Sequence, residues 1–326
     1  MAFSSIAAAK TIHSYKRPFL KGELYSRILR NGQLDNVFTV REPEPHARQR
    51  RLLSGPMSES SLKTVEHVVR SRAELAISKM GEEAKNRGAV DVLKWWFFFS
   101  TDVIGELTFG ESFRMLDIGR KNQYAEDLEK MAVISGLRIA SPRLFRIASF
   151  LPLRVFRESA AADIRLKHYP EESIQRYQRI IAANPQNPKP TLFTKLFKAE
   201  EGGMPHEDIV SNAEAYIIAG SDTTAHTLAY LVWAVCQRGD VKRRLAEEVA
   251  TLPDAYVDED MKKLPYLDHV LREALRLYAA APSGLPREVP DSGYEVDGYW
   301  IPGGTTVSTQ AYSMHREPAI FPDPER

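Results

Sequence analysis

From Asn212 to Cys236 the chain reads NAEAYIIAGSDTTAHTLAYLVWAVC, with apolar residues returning every three or four positions. That is the period of a helix buried along one side. Inside it lies Ala219-Gly220-Ser221-Asp222-Thr223-Thr224, and these residues work against the helix. A glycine in a helix interior costs about 1 kcal/mol relative to alanine. Adjacent threonines restrict their own rotamers and carry hydroxyls that compete for backbone carbonyls one turn back. An acid on a largely buried helix must be solvated or paired. A short stretch that accepts all three penalties points to a small ligand and a path for protons. The plainer alternative is a polar kink facing water.

The rest of the chain narrows the class. Its 326 residues suffice for a large core, and 44 basic against 43 acidic residues leave a net charge of +1, which gives no bulk attraction for nucleic acid. A single cysteine, Cys236, excludes any disulfide within the chain. It sits in LVWAVCQRG, and its expected place is a helix core. No apolar run reaches the length of a membrane span, and the opening MAFSSIAAAKTIHSYK is too polar for a signal peptide. The aromatic run Trp95 to Phe99, followed closely by Asp102 and Glu106, reads as a buried core helix. No G-x-G-x-x-G or Walker loop is present.

Helix patterns dominate up to about residue 280. Helices are predicted over Ser58 to Lys85, Asp91 to Leu107, Asp127 to Ile139, Ala160 to Asn184, Pro205 to Gln237 and Tyr266 to Tyr278. The segment NPQNPKPT (184–191) is a loop, and APSGLP (281–286) ends the last helix. Beyond it, REVPDSGYEVDGYWIPGGTTVSTQAYS alternates and carries Asp-Gly and Gly-Gly turns, the mark of short strands. The fold class is therefore mainly α with a small β region (α+β), in one domain over residues 1–326.

Four more places offer chemistry. Glu273 and Arg276, in DHVLREALRLY, are three residues apart and share a helix face, although Glu111 and Arg114 have the same spacing. His46 and Arg50, in PEPHARQRRLLS, lie one helical turn apart and suit an anion such as a carboxylate; a solvated basic helix start is the alternative. Arg287 follows a tight turn and can point inward to a second anion or stay at a strand edge. His315-Arg316, in YSMHREPAIFPDPER, reads as structural.

Their order carries more than any one of them. AGSDTT, then EALR, then PREV, then HREPAIFPDPER resembles a cytochrome P-450 over essentially the whole chain, of the membrane-bound eukaryotic type. PHARQRRLLS and DVIGELTFGESF add a fungal character. The resemblance implies a haem cofactor, with dioxygen in a groove at Ala219 and Gly220 and a proton relay through Asp222 and Thr223. It implies that His46, Arg50 and Arg287 contact the haem propionates, that Glu273 and Arg276 fasten the core, and that Ala281, Pro282 and Ser283 line the substrate pocket. The stretch from Ile134 to Pro190, with FLPLRVF (150–156), is expected to roof that pocket and touch the bilayer.

The same resemblance implies oxygen insertion into an apolar small molecule, in fungal secondary metabolism. Electrons would come from an NADPH-dependent cytochrome P-450 reductase, the chain would act as a monomer, and the full-length family sits on the cytosolic face of the endoplasmic reticulum membrane. The sequence departs from the family pattern at both ends. The N-terminal anchor and first strands are expected to be missing, as is the C-terminal F-x-x-G-x-R-x-C-x-G loop with its iron-ligating cysteine. No metal ligand is assigned within the chain, and Cys236, on the distal helix itself, is no substitute. Pro324-Glu325-Arg326 is read as the turn preceding the family's third ion-pair partner. A haem monooxygenase by family is the leading reading; a catalytically inactive truncated remnant with weak or no haem binding is the alternative. An accidental resemblance in a helical interaction protein is a distant third.

Overall fold

The strongest local signals place the helices. A computed structural model describes residues 1–14, 19–28, 34–55, 57–151, 153–184, 186, 191–192 and 204–325. Two compact units emerge, one of Met1–Phe19, Glu83–Phe97 and Asp222–Arg326, the other of Leu20–Glu82 and Phe98–Ser221. Three of the four boundaries fall inside helices.

In the second unit, helix starts follow their caps. Ser58 Oγ accepts from the Ser61 amide at 3.4 Å and opens a short helix, Glu59–Lys63. Thr64 Oγ1 then donates to the Ser61 carbonyl at 2.7 Å, and a separate helix runs over Glu66–Arg87. The one helix expected over this region is thus two. Asn122 Oδ1 caps helix Gln123–Ala140 through the Ala125 amide at 3.0 Å, four residues before the predicted start. Helix Arg154–Ala183 passes through Pro170, which is buried. Asp127, 1 % exposed, holds this helix against the previous one through two bonds from Arg165 at 2.6 and 2.7 Å.

Helix Val92–Phe109 begins where Asp91 Oδ1 accepts the Lys94 amide at 3.0 Å. Further along it, the fully buried Asp102 accepts from the amides of Met115 at 3.1 Å and Leu116 at 2.9 Å. Those amides start a four-residue helix, Met115–Ile118, whose own N-cap, Arg114, is left-handed at φ 59° and gives no side-chain cap. Burial pushes the Asp102 carboxyl above the usual aspartate range, and the two amides pull against it.

The first unit holds the strands β3 to β6 together with β1. In chain order the strands are β1 (Ala2–Phe3), β2 (Leu20–Lys21), β3 (Arg287–Glu288), β4 (Tyr294–Val296), β5 (Tyr299–Ile301) and β6 (Thr306–Thr309). β6 pairs in parallel with β1 and antiparallel with β3, in the register Arg287↔Val307. β4 and β5 form a hairpin whose turn has Asp297 at φ 51° and Gly298 at φ 77°, both in the left-handed region that an Asp-Gly hairpin turn requires. Ala8 and Ile12, from helix Ile6–Ile12, pack with Phe19, Val289, Val296, Ile301 and Val307 into one apolar core. In the same unit Glu83 accepts from Lys94, Arg87 and the Trp95 indole, and these hydrogen bonds, Lys94 foremost, pull its carboxyl down to about 2 against the opposing effect of burial.

The mainly helical body with a small sheet region is as predicted. The expectation of an endoplasmic reticulum membrane location requires correction: among the described residues no helix is long and apolar enough to cross a membrane.

Candidate functional site

The predicted long helix is His206–Gln237, and it is helical throughout, with no break at AGSDTT. The buried side is a ridge at every fourth residue. Ile209, Ala213, Ile217, Ser221 and Ala225 are all at most 1 % exposed. Ser221, the one polar member, returns its Oγ to the Ile217 carbonyl at 2.8 Å, so its hydroxyl is satisfied within the helix. Ala219, Asp222 and Thr223 fall at i, i+3 and i+4 on another face, and all three are exposed. Asp222 meets its need for solvation at an exposed position. One turn on, His226 Nδ1 lies 2.7 Å from the Asp222 carbonyl and Thr227 Oγ1 donates to the Thr223 carbonyl at 2.8 Å.

Gly220 has a packing reason. A Cβ there would lie 3.2 Å from Cγ1 of Ile104, so the glycine admits the neighbouring helix. The open side of the pair is that of Ala219.

His46 and Arg50 are on helix Pro43–Ser54, His46 half-buried and Arg50 exposed. That helix is tied to the long one by two residues the sequence reading passed over. Asn212, fully buried, lies 3.4 Å from Gln49 Oε1, donates to the Asp208 carbonyl at 2.8 Å and accepts the Val37 amide at 3.0 Å.

Arg287 opens β3. Its Nη1 reaches the Phe19 carbonyl at 3.4 Å, while its Nε is buried with no hydrogen-bond partner among the described residues. A buried donor left unmade is costly, which marks a place for an acceptor.

Glu273 and Arg276 lie on helix Pro265–Leu277. Arg276, 8 % exposed, grips both Glu273 oxygens at 2.6 and 2.8 Å, donates to the carbonyls of His315 at 2.7 Å and Pro324 at 2.8 Å, and stacks on Phe321. Arg316 completes the knot, reaching the Leu277 carbonyl at 2.9 Å and Glu325 at 2.8 Å. His315-Arg316 thus belongs to packing, as expected. Ala281, Pro282 and Ser283 form an exposed turn, with the Pro282 carbonyl accepting the Tyr312 amide at 3.0 Å. The expected pocket roof presents exposed apolar residues, Leu144, Ile147 and Phe150 among them, and parts of its 185–190 end lie outside the described residues.

Cys236 is a correction. It is exposed, not in the core. It follows Asp222 by fourteen residues on the same helix, roughly 21 Å at 1.5 Å per residue. Among the described residues no cluster of His, Cys, Asp or Glu is arranged to hold a metal ion.

The profile of the cytochrome P450 family matches residues 3–326. The chain belongs to the cytochrome P450 family. Among its relatives, cytochrome P450 monooxygenase tazI of Aspergillus terreus is 44 % identical over 325 residues, covering 99 % of this chain and 66 % of its own length. Cytochrome P450 monooxygenase azaI of Aspergillus niger is 39 % identical, covering 98 % and 68 %. The chain therefore spans about two thirds of the length of these relatives. In fold it is similar to the crystal structure of a cytochrome P450, CYP102L1, with a TM-score of 0.81 at 18 % identity, over all of this chain and 71 % of that one.

Membership in the P450 family implies a haem cofactor. The residues present suit its carboxylate edge: the Nε of Arg287 is a buried donor with no hydrogen-bond partner among the described residues. The only thiol of the chain is Cys236, which its position sets apart from Ala219 and Asp222.

Proposed function

We propose that this P450 chain carries the dioxygen-side helix and the carboxylate-binding residues of a haem-dependent monooxygenase acting on an apolar organic molecule, as a monomer supplied with electrons by an NADPH-dependent reductase. The observation that carries the reading is the exposed face of Ala219, Asp222 and Thr223 on an unbroken helix whose opposite ridge is fully buried. A helix committed to a core gains nothing from an acid and a threonine there; a reaction that consumes protons does.

Haem, when bound, would supply the activation of dioxygen. The small side chain of Ala219, beside Gly220, leaves room for a diatomic ligand next to the helix. Asp222 would take up protons from solvent at its carboxylate, and Thr223 would pass them on at Oγ1. With the Thr223 carbonyl already taken by Thr227, the backbone at that turn has one fewer acceptor competing for the relay. His46, Arg50 and Arg287 would hold the propionates through charge-assisted hydrogen bonds. Ala281, Pro282 and Ser283 would face the substrate, and Glu273 with Arg276 would keep the chain from 315 to 325 folded against its helix.

The test is haem titration of the purified chain followed by gel filtration and an absorption spectrum, oxidised and then reduced under carbon monoxide. A Soret band that co-elutes with protein is expected. Complete separation of haem from protein would refute the reading in favour of a haem-free remnant.

A further inference from the structure

The sheet face that carries Arg287 brings a second group beside it that the sequence motifs do not single out. Arg287 stands opposite Val307 in the β3–β6 register, and Thr309 lies two residues further along β6 on the same face. His13, at the C-terminus of helix Ile6–Ile12, reaches that face and places its Nε2 2.8 Å from Thr309 Oγ1. Thr309 is 8 % exposed and His13 is half-buried. The helix that carries His13 is fixed by the apolar core through Ala8 and Ile12, and by its Ser5 cap, whose hydroxyl also meets Asp297 in the hairpin turn.

The juxtaposition is unusual. An imidazole is set close enough to a guanidinium to feel its charge, and burial first, then Arg287, pushes the His13 pKa below the ordinary histidine value. Two groups that can both be cationic are a poor pair by themselves. The arrangement becomes favourable when an anion sits against them, because a carboxylate can accept from both. The orphaned Nε of Arg287 is the donor such an anion would satisfy. A Thr309 hydroxyl that donates to His13 Nε2 keeps the proton of a neutral ring on Nδ1, so the ring remains a donor without becoming charged.

We infer that His13, oriented by Thr309, is a further carboxylate-binding residue that acts with Arg287 on one propionate of the cofactor. The inference rests on the haem reading above and adds a residue pair to it. His13 binds; Thr309 is the positioning residue that sets its ring and tautomer.

The experiment compares the full chain with its His13→Gln, Thr309→Val and Arg287→Gln variants, each titrated with haem and with haem dimethyl ester, in which both propionates are blocked. Loss of one charge-assisted hydrogen bond corresponds to about a tenfold weaker affinity. His13→Gln is expected to weaken free-acid haem by about that factor and leave the ester unchanged; Thr309→Val is expected to do the same to a smaller extent. Arg287→Gln should weaken free-acid haem as well, and should raise the His13 pKa read from its imidazole proton resonances. Unchanged free-acid affinity in His13→Gln overturns the inference. So does equal weakening of both haems, which would mean a merely structural histidine. An unmoved His13 resonance in Arg287→Gln overturns the juxtaposition itself. If the wild-type chain binds neither haem, the haem reading falls and this inference with it; if it binds both equally well, only the propionate site is refuted.

Discussion

Replacing Arg276 with alanine should open the 311–325 segment without unfolding the rest. The side chain is 8 % exposed, whereas its partner Glu273 is 48 % exposed, so the two halves of the pair are not equivalent. Arg276→Ala strips the donors from the carbonyls of His315 and Pro324 and the cation from the Phe321 ring. Each buried acceptor left unmade costs about 1–3 kcal/mol, and the stacked cation about 0.5–2. Glu273, returned to water, loses little, because an exposed ion pair contributes only about 0–1 kcal/mol. With the carbonyls only partly desolvated, the total is about 3 kcal/mol, or roughly a hundredfold in an opening equilibrium. Hydrogen exchange read on peptides covering 311–325 measures that equilibrium directly. Arg276→Ala should lose about two orders of magnitude of protection there, and Glu273→Gln only about two- to fivefold. Equal losses in the two variants, or undisturbed exchange in Arg276→Ala, would refute the assignment of the two carbonyl bonds as the main restraint.

Three further outcomes are expected. The Glu83 carboxyl is held near 2 in the folded chain against an ordinary value of 4.5, so its stabilising effect is complete above pH 4.5 and lost as the pH falls toward 2. The gap in urea midpoint between wild type and Glu83→Gln should therefore close across that window, and a gap that stays constant or widens with acid would contradict the hydrogen-bond assignment. Gly105→Ala should destabilise by about 1–3 kcal/mol in spite of better helix propensity, because its Cβ would fall 2.3 Å from the buried Phe113 ring, itself stacked on Tyr124 and Tyr169; a rise in melting temperature would show that the ring can move. Asp127→Ala should cost about 1–3 kcal/mol by urea denaturation, with Arg165→Ala costing less, since Arg165 is 46 % exposed and Asp127 1 %.

What the sequence made legible was whatever local chemistry controls. The long helix is written in its four-residue ridge, and its polar stretch is visible because glycine, acid and threonine are conspicuous in an apolar run. Pro170 misleads a breaker rule but not the periodicity around it, and the helix continues through it. Local pattern failed where partners are remote. Gln49 and Asn212 are 163 residues apart, and His13 and Thr309 296 apart, so no window contains either pair. Cys236 failed for another reason: LVWAVC is apolar on every side, and periodicity in such a run does not say which side faces out.

The four-residue helix Met115–Ile118 has a consequence for the order of events in folding. A segment that short cannot nucleate alone, since the first turn fixes several residues for one hydrogen bond. Its first amides are claimed by Asp102, a carboxylate belonging to a helix already complete by Phe109. The turn therefore forms only after that helix exists, and mutations within it should leave the folding rate alone and speed unfolding. Asp102 has a foot in both stages, as part of an early helix and as the template for a late one.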